Sequence, residues 1–386
     1  MSVKQTYKIV IAPDSFKESI SAQGFCQAAT RGIESLNLPL EIISVPLADG
    51  GEGTSEILTS FFKGKTTTKV VQNPFFSATE AMFGISADGK MAFIDMAAAS
   101  GIALIPTEKR NCYYTTTYGT GELIAEALKL GVNEIILGLG SSATNDGGVG
   151  VATALGYKFL DKWGDALVPI GENLCKIKTI DQEGVSTLLK DVKFIAACDV
   201  QNPFYGPNGA AFAYGAQKGA SSDEIEKLDK GLQNLAAVIK KDLGKDIAQI
   251  KGAGAAGGMG GGAIAFLNGE LKSGVDLMMN ILGLEKAIQQ ADLVITGEGK
   301  IDEQTINGKL VKGVAAVAHK YGKKTIAFCG KLDISASLLD KMHLHYASSI
   351  INSPISLKTA LSSADYLIEK KTAEVVRFWY LMEDKT

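Results

Sequence analysis

The sequence is poor in several residue types that usually carry chemistry. It has three histidines, two tryptophans and five cysteines in 386 residues. The cysteines (26, 112, 175, 198 and 329) are scattered, odd in number and form no CxxC pair, and no histidines accompany them at metal-ligand spacing. A structural zinc and a disulfide scaffold are therefore not expected, and a cytoplasmic setting is. Arginine occurs only at 31, 110 and 377. The net charge of −3 gives no electrostatic reason to expect nucleic acid or an anionic membrane as partner. No run approaches the ~18 apolar residues of a membrane helix. The short apolar run near the N-terminus, broken by Pro13, reads as neither a signal peptide nor an anchor. The expected assembly is a monomer or a small homo-oligomer.

Glycine, by contrast, is abundant: 43 residues, with the excess in the loops 138–150 and 252–262. Around these loops the chain follows a β-loop-α grammar. "YKIVIA" (7–12) is a β-branched run typical of a buried parallel strand, followed by apolar residues at helical spacing (Phe25, Ala29, Ile33, Leu36) behind a plausible N-cap, Ser21. "EIISVPLA" (41–48), "EIILGL" (134–139), "VKFIAACD" (192–199), "DLVIT" (292–296) and "TIAFCG" (325–330) read as further strands. Residues 66–98 change style, alternating around the turn signal "ADG" (87–89), and a second short hairpin is expected near 161–166. The expected fold is α/β: an open parallel-sheet domain, Rossmann- or flavodoxin-like, built from both chain ends (1–70 and 288–386), with a mixed α/β domain (71–287) inserted. The site is expected in the cleft between the two, at the carboxyl ends of strands.

Five polar loops follow expected strands: "PDSFKES" (13–19), "ADGGEGT" (48–54), "GSSATNDGG" (140–148), "CDVQNP" (198–203) and "TGEGKIDEQT" (296–305). The loop 140–148 reads as an anion cradle built from backbone N–H groups, or else as a tight turn with Asn145 and Asp146 capping. It is not a Walker loop. The loop 252–262 formally contains GxGxxG at 252, 254 and 257, but the preceding "DIAQIK" is a weak strand. A dinucleotide fingerprint, a flexible nucleotide-binding loop and a packing loop all remain open there. Asp14, Asp49, Glu52, Asp146, Asp199, Glu298 and Asp302 all fall in the polar loops. Clustered acids repel unless a cation joins them, which suits Mg²⁺ bound with phosphate oxygens and a carboxylate base taking a hydroxyl proton. Lys17, Lys218, Lys300 and Lys309 are the nearby cations, and Arg110 is the arginine best placed to clamp a carboxylate. The histidines lie outside all five loops, so a Ser-His-Asp engine has little support.

Together, "KIVIAPDSFKESISA" (8–22), "LADGGEGT" (47–54), "TTTYGTGELI" (115–124), "GSSATNDGG", "ACDVQNP" (197–203), "GAGAAGGMGGG" (252–262) and "TGEGKIDEQT" resemble the bacterial two-domain glycerate kinase family over nearly the whole chain. The resemblance implies ATP- and Mg²⁺-dependent phosphorylation of a hydroxyl of D-glycerate. Within it Asp199, Lys17 and Asp302 are expected to be catalytic, with Asp199 as the base, and Glu298 and Asp146 to face the metal. Asp14, Ser15, Asp49, Arg110 and Lys218 are expected to hold the substrate. Gly140, Ser141, Ser142, Thr144, Asn145, Gly254, Gly257 and Gly258 are expected to hold the nucleotide. The alternatives are another small-molecule kinase, suggested by "LGLGSSAT", and a nicotinamide-dependent dehydrogenase or a non-catalytic sensor of sugar acids.

Overall fold

A computed structural model describes residues 6–306 and 310–383. Its strands, in chain order, are β1 (Tyr7–Ile11), β2 (Leu40–Ser44), β3 (Lys65–Gln72), β4 (Ala78–Ile85), β5 (Met91–Asp95), β6 (Glu134–Gly138), β7 (Lys158–Leu160), β8 (Thr179–Asp181), β9 (Lys193–Ala197), β10 (Glu270–Lys272), β11 (Leu293–Asp302), β12 (Lys324–Asp333) and β13 (Tyr346–Ser349). The chain forms two compact units, Met1–Asp49 with Val275–Thr386, and Gly50–Gly274. The sequence pattern had drawn these limits at 70/71 and 287/288. The helix Thr54–Phe61 packs on β4 and β5 and so goes with the middle unit. The helix Gly274–Ile281 presents Val275 and Met279 to Gly313 and so goes with the terminal one.

The first unit is a five-stranded parallel sheet in the order β13-β12-β11-β1-β2. Numbered within the unit, this is the doubly wound order 2-1-3-4-5, whose topological switch lies between β1 and β11. The β-branched core of β1 is sealed, with Ile9, Val10 and Ile11 at 0% exposure. The helix Ala22–Glu34 starts at Ser21, whose hydroxyl accepts from Gly24 N–H, and it buries Phe25, Ala29 and Ile33. Gly32 lets this helix lie against the helix Ala364–Glu383, because a Cβ there would strike the Glu369 carbonyl.

The second unit is a six-stranded mixed sheet, β10-β9-β6-β5-β4-β3, parallel from β10 to β5 and antiparallel across β5, β4 and β3. Asp95, Gly138 and Ala197 stand in one register row, with Lys272 beside Ala197, so four parallel strands end level. One core fills the space between the sheet and the helix Tyr118–Lys129; another surrounds the helix Ser222–Leu243. The latter helix opens with a capping box between Ser221 and Glu224.

The α/β expectation holds, and two local readings change. "GEGKID" was read as a loop, but β11 runs straight through it to Asp302, because β12 also continues and pairs with it up to Asp302↔Asp333. The hairpin near 161–166 amounts to a single bridge, Leu160↔Ala166; the partner of β7 is β8, more distant in sequence.

Candidate active site

In the first unit the switch point gathers the acids. The chain leaving β1 stays hydrogen-bonded to β11 through Ala12 N to Ile295 O (2.7 Å) and Asp14 N to Gly297 O (2.8 Å). On its other side the segment after β2 runs alongside, with Val45 N to Ile11 O (2.8 Å) and Leu47 N to Pro13 O (3.0 Å), and so carries Asp49 toward the same edge. The charges there act on one another. Burial, followed by the Asp49 charge, pushes the Asp14 carboxyl up to about 7, with Ser15 N–H and Lys17 opposing. Burial likewise pushes Glu298 up to about 7 against a Thr305 hydrogen bond, with Asp302 and Asp49 adding to the rise. Ser15 N–H donates to Asp14 Oδ1 at 2.7 Å. Glu298 Oε1 is buried without a hydrogen-bond partner.

The extension of β11 sets Glu298, Lys300 and Asp302 at alternate positions, on one face of the strand. In register beside them on β12 stand Lys331, next to Lys300, and Asp333, next to Asp302. Each strand pairs its own lysine and aspartate, Lys300 with Asp302 and Lys331 with Asp333 (3.0 Å). The result is a row of two cations beside a row of two anions. Sequence reasoning missed Lys331 and Asp333, although "GKLD" (330–333) repeats "GKID" (299–302). Lys309 lies outside the described residues. Among the described residues, no three acidic, histidine or cysteine side chains close into a metal-sized set. Mg²⁺ needs only one or two carboxylates when phosphate oxygens and water complete its shell, and the unpaired Glu298 oxygen beside Asp14 fits that habit.

In the second unit the loop after β6 is mostly interior. Gly140 and Ser141 reach the surface, whereas Ser142, Thr144, Asn145 and Asp146 are buried. Ser141 holds φ +59° and is pinned by Ile102 N–H to its carbonyl (2.9 Å). Both side-chain polar atoms of Asn145, and Thr144 Oγ1, are buried without partners. Asp146 accepts from four donors: Thr117 N (2.8 Å), Thr117 Oγ1 (2.8 Å), Gly148 N (3.1 Å) and Gly150 N (3.1 Å). Both its oxygens thereby help tie two helix starts together. Lys218, expected at the substrate, is 5% exposed and sits behind the loop. Its Nζ donates to Ser142 Oγ (2.6 Å) and Thr144 O (2.8 Å), and burial pulls its pKa down to about 8. The glycine loop's positive charge is therefore supplied from the rear. Arg110 is half-buried and donates from Nε to Ile105 O (3.2 Å). It neighbours Lys218 through the backbone bond Cys112 N to Lys218 O (3.0 Å). Asp199 follows β9 and is half-buried, and Ser273 Oγ donates to its Oδ1 (2.8 Å).

The second glycine loop packs on the first. Gly147 N–H donates to Gly257 O (3.0 Å), and a Cβ on Gly257, which also needs φ +66°, would strike the Thr144 carbonyl. Gly254 faces the Pro203 carbonyl, and Gly258 faces Phe204 and Gly147. The formal GxGxxG follows turns, not a strand, so it lacks the context of a dinucleotide fingerprint. Sequence reasoning also missed Asp95 at the end of β5. Gly53 N (3.0 Å), Ser55 N (3.1 Å) and Ser55 Oγ (3.0 Å) donate to it, and burial pushes it up to about 7. "FIDMA" resembled a plain strand end and offered no signal.

Residues 9–380 match the profile of the Glycerate kinase family. The chain is similar to the "Glycerate 2-kinase" of Escherichia coli (strain K12), 46% identical over 357 residues, covering 92% of this chain and 94% of that protein. It is also similar to the "Glycerate kinase" of Bacillus cereus (strain ATCC 10987 / NRS 248), 42% identical over 378 residues, covering 98% and 99%. Among solved structures, that of a putative glycerate kinase 2 from Salmonella typhimurium LT2 aligns with a TM-score of 0.86 at 40% identity, over 98% of this chain and all of that one.

Proposed function

This chain belongs to the glycerate kinase family, and from that premise we propose that it transfers the γ-phosphoryl group of ATP to a hydroxyl of D-glycerate in the presence of Mg²⁺. The observation that carries the reading is the unpaired, buried Glu298 oxygen at the switch point, amid the mutually repelling carboxylates Asp14, Asp49 and Asp302. Such an arrangement costs free energy without a ligand and gains from a cation. Glu298, with Asp14, would hold Mg²⁺, which when bound supplies charge neutralisation to the phosphates. Asp146 is left out of the metal set because it is fully buried and both its oxygens already accept hydrogen bonds from the protein.

Asp199, oriented by the Ser273 hydroxyl, takes the proton of the attacking hydroxyl. That oxygen bonds to the γ-phosphorus as ADP departs, and Lys17 with the Lys300–Lys331 row offsets the spreading negative charge. Ser15, Asp49 and Asp302 are assigned to the same reaction, and Arg110 to the glycerate carboxylate. Ser141, at the exposed tip, is assigned to the phosphates, with Gly140 tied beside it through its N–H to Gly50 O (3.3 Å), while Lys218 stiffens the loop from behind through Ser142 and Thr144. The name of the E. coli relative supports the 2-hydroxyl as acceptor. Among the described residues no helix is long and apolar enough to cross a membrane. With all five cysteines free, that supports a cytoplasmic setting. The test is coupled ADP release with D- and L-glycerate, the product identified by phosphorus NMR. Turnover of D-glycerate to 2-phosphoglycerate is expected. Silence with glycerate but turnover of another hydroxy acid would move the chain to a different substrate.

A further inference from the structure

The sheet of the second unit opens along one seam. β4 keeps β3 as partner over eight residues but pairs with β5 at only two positions, Gly84↔Phe93 and Ile85↔Ala92. In the wedge beyond lies a cavity of about 590 Å³, closed by β4, the start of the helix Thr54–Phe61 and the segment 97–103. Its walls combine apolar surface from Met82, Ala98 and Ala103 with a rim of three carboxylates, Glu52, Glu56 and Glu80, and among the described residues no lysine or arginine lines it. Ser141, the exposed tip of the glycine loop, is part of the same lining.

The chemistry of the wall selects its occupant. Three carboxylates with no cation repel a polyphosphate or a sugar acid. They accept hydrogen bonds from hydroxyl and amino groups, as acidic residues do for ribose in nucleotide-binding sheets. The apolar floor suits the face of a flat heterocycle, and the volume falls in the usual range for small-molecule sites. Asp95, at the base, is already engaged by Gly53 and Ser55, so the rim glutamates do the accepting. We propose that this wedge is the nucleoside subsite: the purine lies against Met82 and Ala98, the ribose hydroxyls face the rim glutamates, and the phosphates leave past Ser141. This rests on the kinase reading and adds to it the place of the base, which no glycine loop supplies.

The test is calorimetric binding of Mg·ATP and of inorganic tripolyphosphate, without glycerate, to the full chain. Ala98→Phe fills the wedge, and Met82→Ala strips one wall at a residue that is 57% exposed and therefore safe for the fold. ATP should weaken at least about tenfold in the first variant and about threefold to tenfold in the second. Tripolyphosphate affinity and the KM for D-glycerate should be unchanged. ATP and tripolyphosphate weakening together, or ATP binding unchanged in Met82→Ala, would overturn the proposal. So would loss of spermidine binding in Ala98→Phe with ATP intact, which would give the wedge to a cationic amine. If the kinase reading itself failed, the sign would differ: wild-type protein would bind ATP yet release no ADP with D-glycerate.

Discussion

The two units treat buried carboxylates in opposite ways. In the middle unit Asp146 and Asp95 sit at strand-end junctions with their oxygens filled by backbone N–H and hydroxyl donors. In the terminal unit Glu298 keeps a buried oxygen unpaired, and Asp14 lies within reach of other acids' charge. All are carboxylates borne by parallel strands or by the loops that follow them; what differs is whether each buried oxygen has a protein donor. A saturated carboxylate holds the scaffold, whereas an unsaturated one is available to a ligand.

That contrast can be broken most sharply at Glu298. Glu298→Gln should lower kcat about 10³-fold, about 4 kcal/mol of barrier, in an ADP-release assay. Its urea midpoint should stay level or rise, since burial already disfavours the charged form. A fall in stability with activity intact would make Glu298 scaffold. Asp146→Ala should do the reverse, stranding three buried N–H groups and costing about 3 kcal/mol in the same unfolding measurement. Lys218→Met removes a buried donor pair behind the glycine loop; about 2 kcal/mol of stability and a several-fold rise in the KM for ATP are expected. An effect on the glycerate KM alone would return Lys218 to the substrate.

The smallest effect is a slope. Burial raises the Asp95 pKa in the folded state to about 7. Its stabilising share is therefore full below the unfolded-state carboxylate pKa, near 4, and is lost as pH climbs through about 7. Asp95→Asn should accordingly flatten the fall of unfolding free energy between those limits, read from urea melts at several pH values. An unchanged slope would assign Asp95 an ordinary pKa.

Much of this was legible in the chain. The β-branched runs located β1, β6 and β9 to within a few residues and the start of β11, and polar segments follow β1, β6 and β9. The motifs from "PDSFKES" to "TGEGKIDEQT" carried the family resemblance that residues 9–380 bear out. Other features were hidden. The strand beyond "DLVIT" looked like a loop because glycines at 297 and 299 mask the pairing with β12 that keeps it extended. Lys218 was expected at the substrate because its acceptors, Ser142 and Thr144, lie more than 70 residues away and leave no local sign of burial.

The sequence alone determined the alternation of strands and helices, the glycine loops and the stock of acids and lysines, because side-chain periodicity and backbone freedom are local properties. Only the tertiary structure decided which carboxylates were spent. Thr117 reaches Asp146 from 29 residues away and Gly53 reaches Asp95 from 42, so the satisfaction of a buried charge is a long-range fact. No local pattern of residues encodes it.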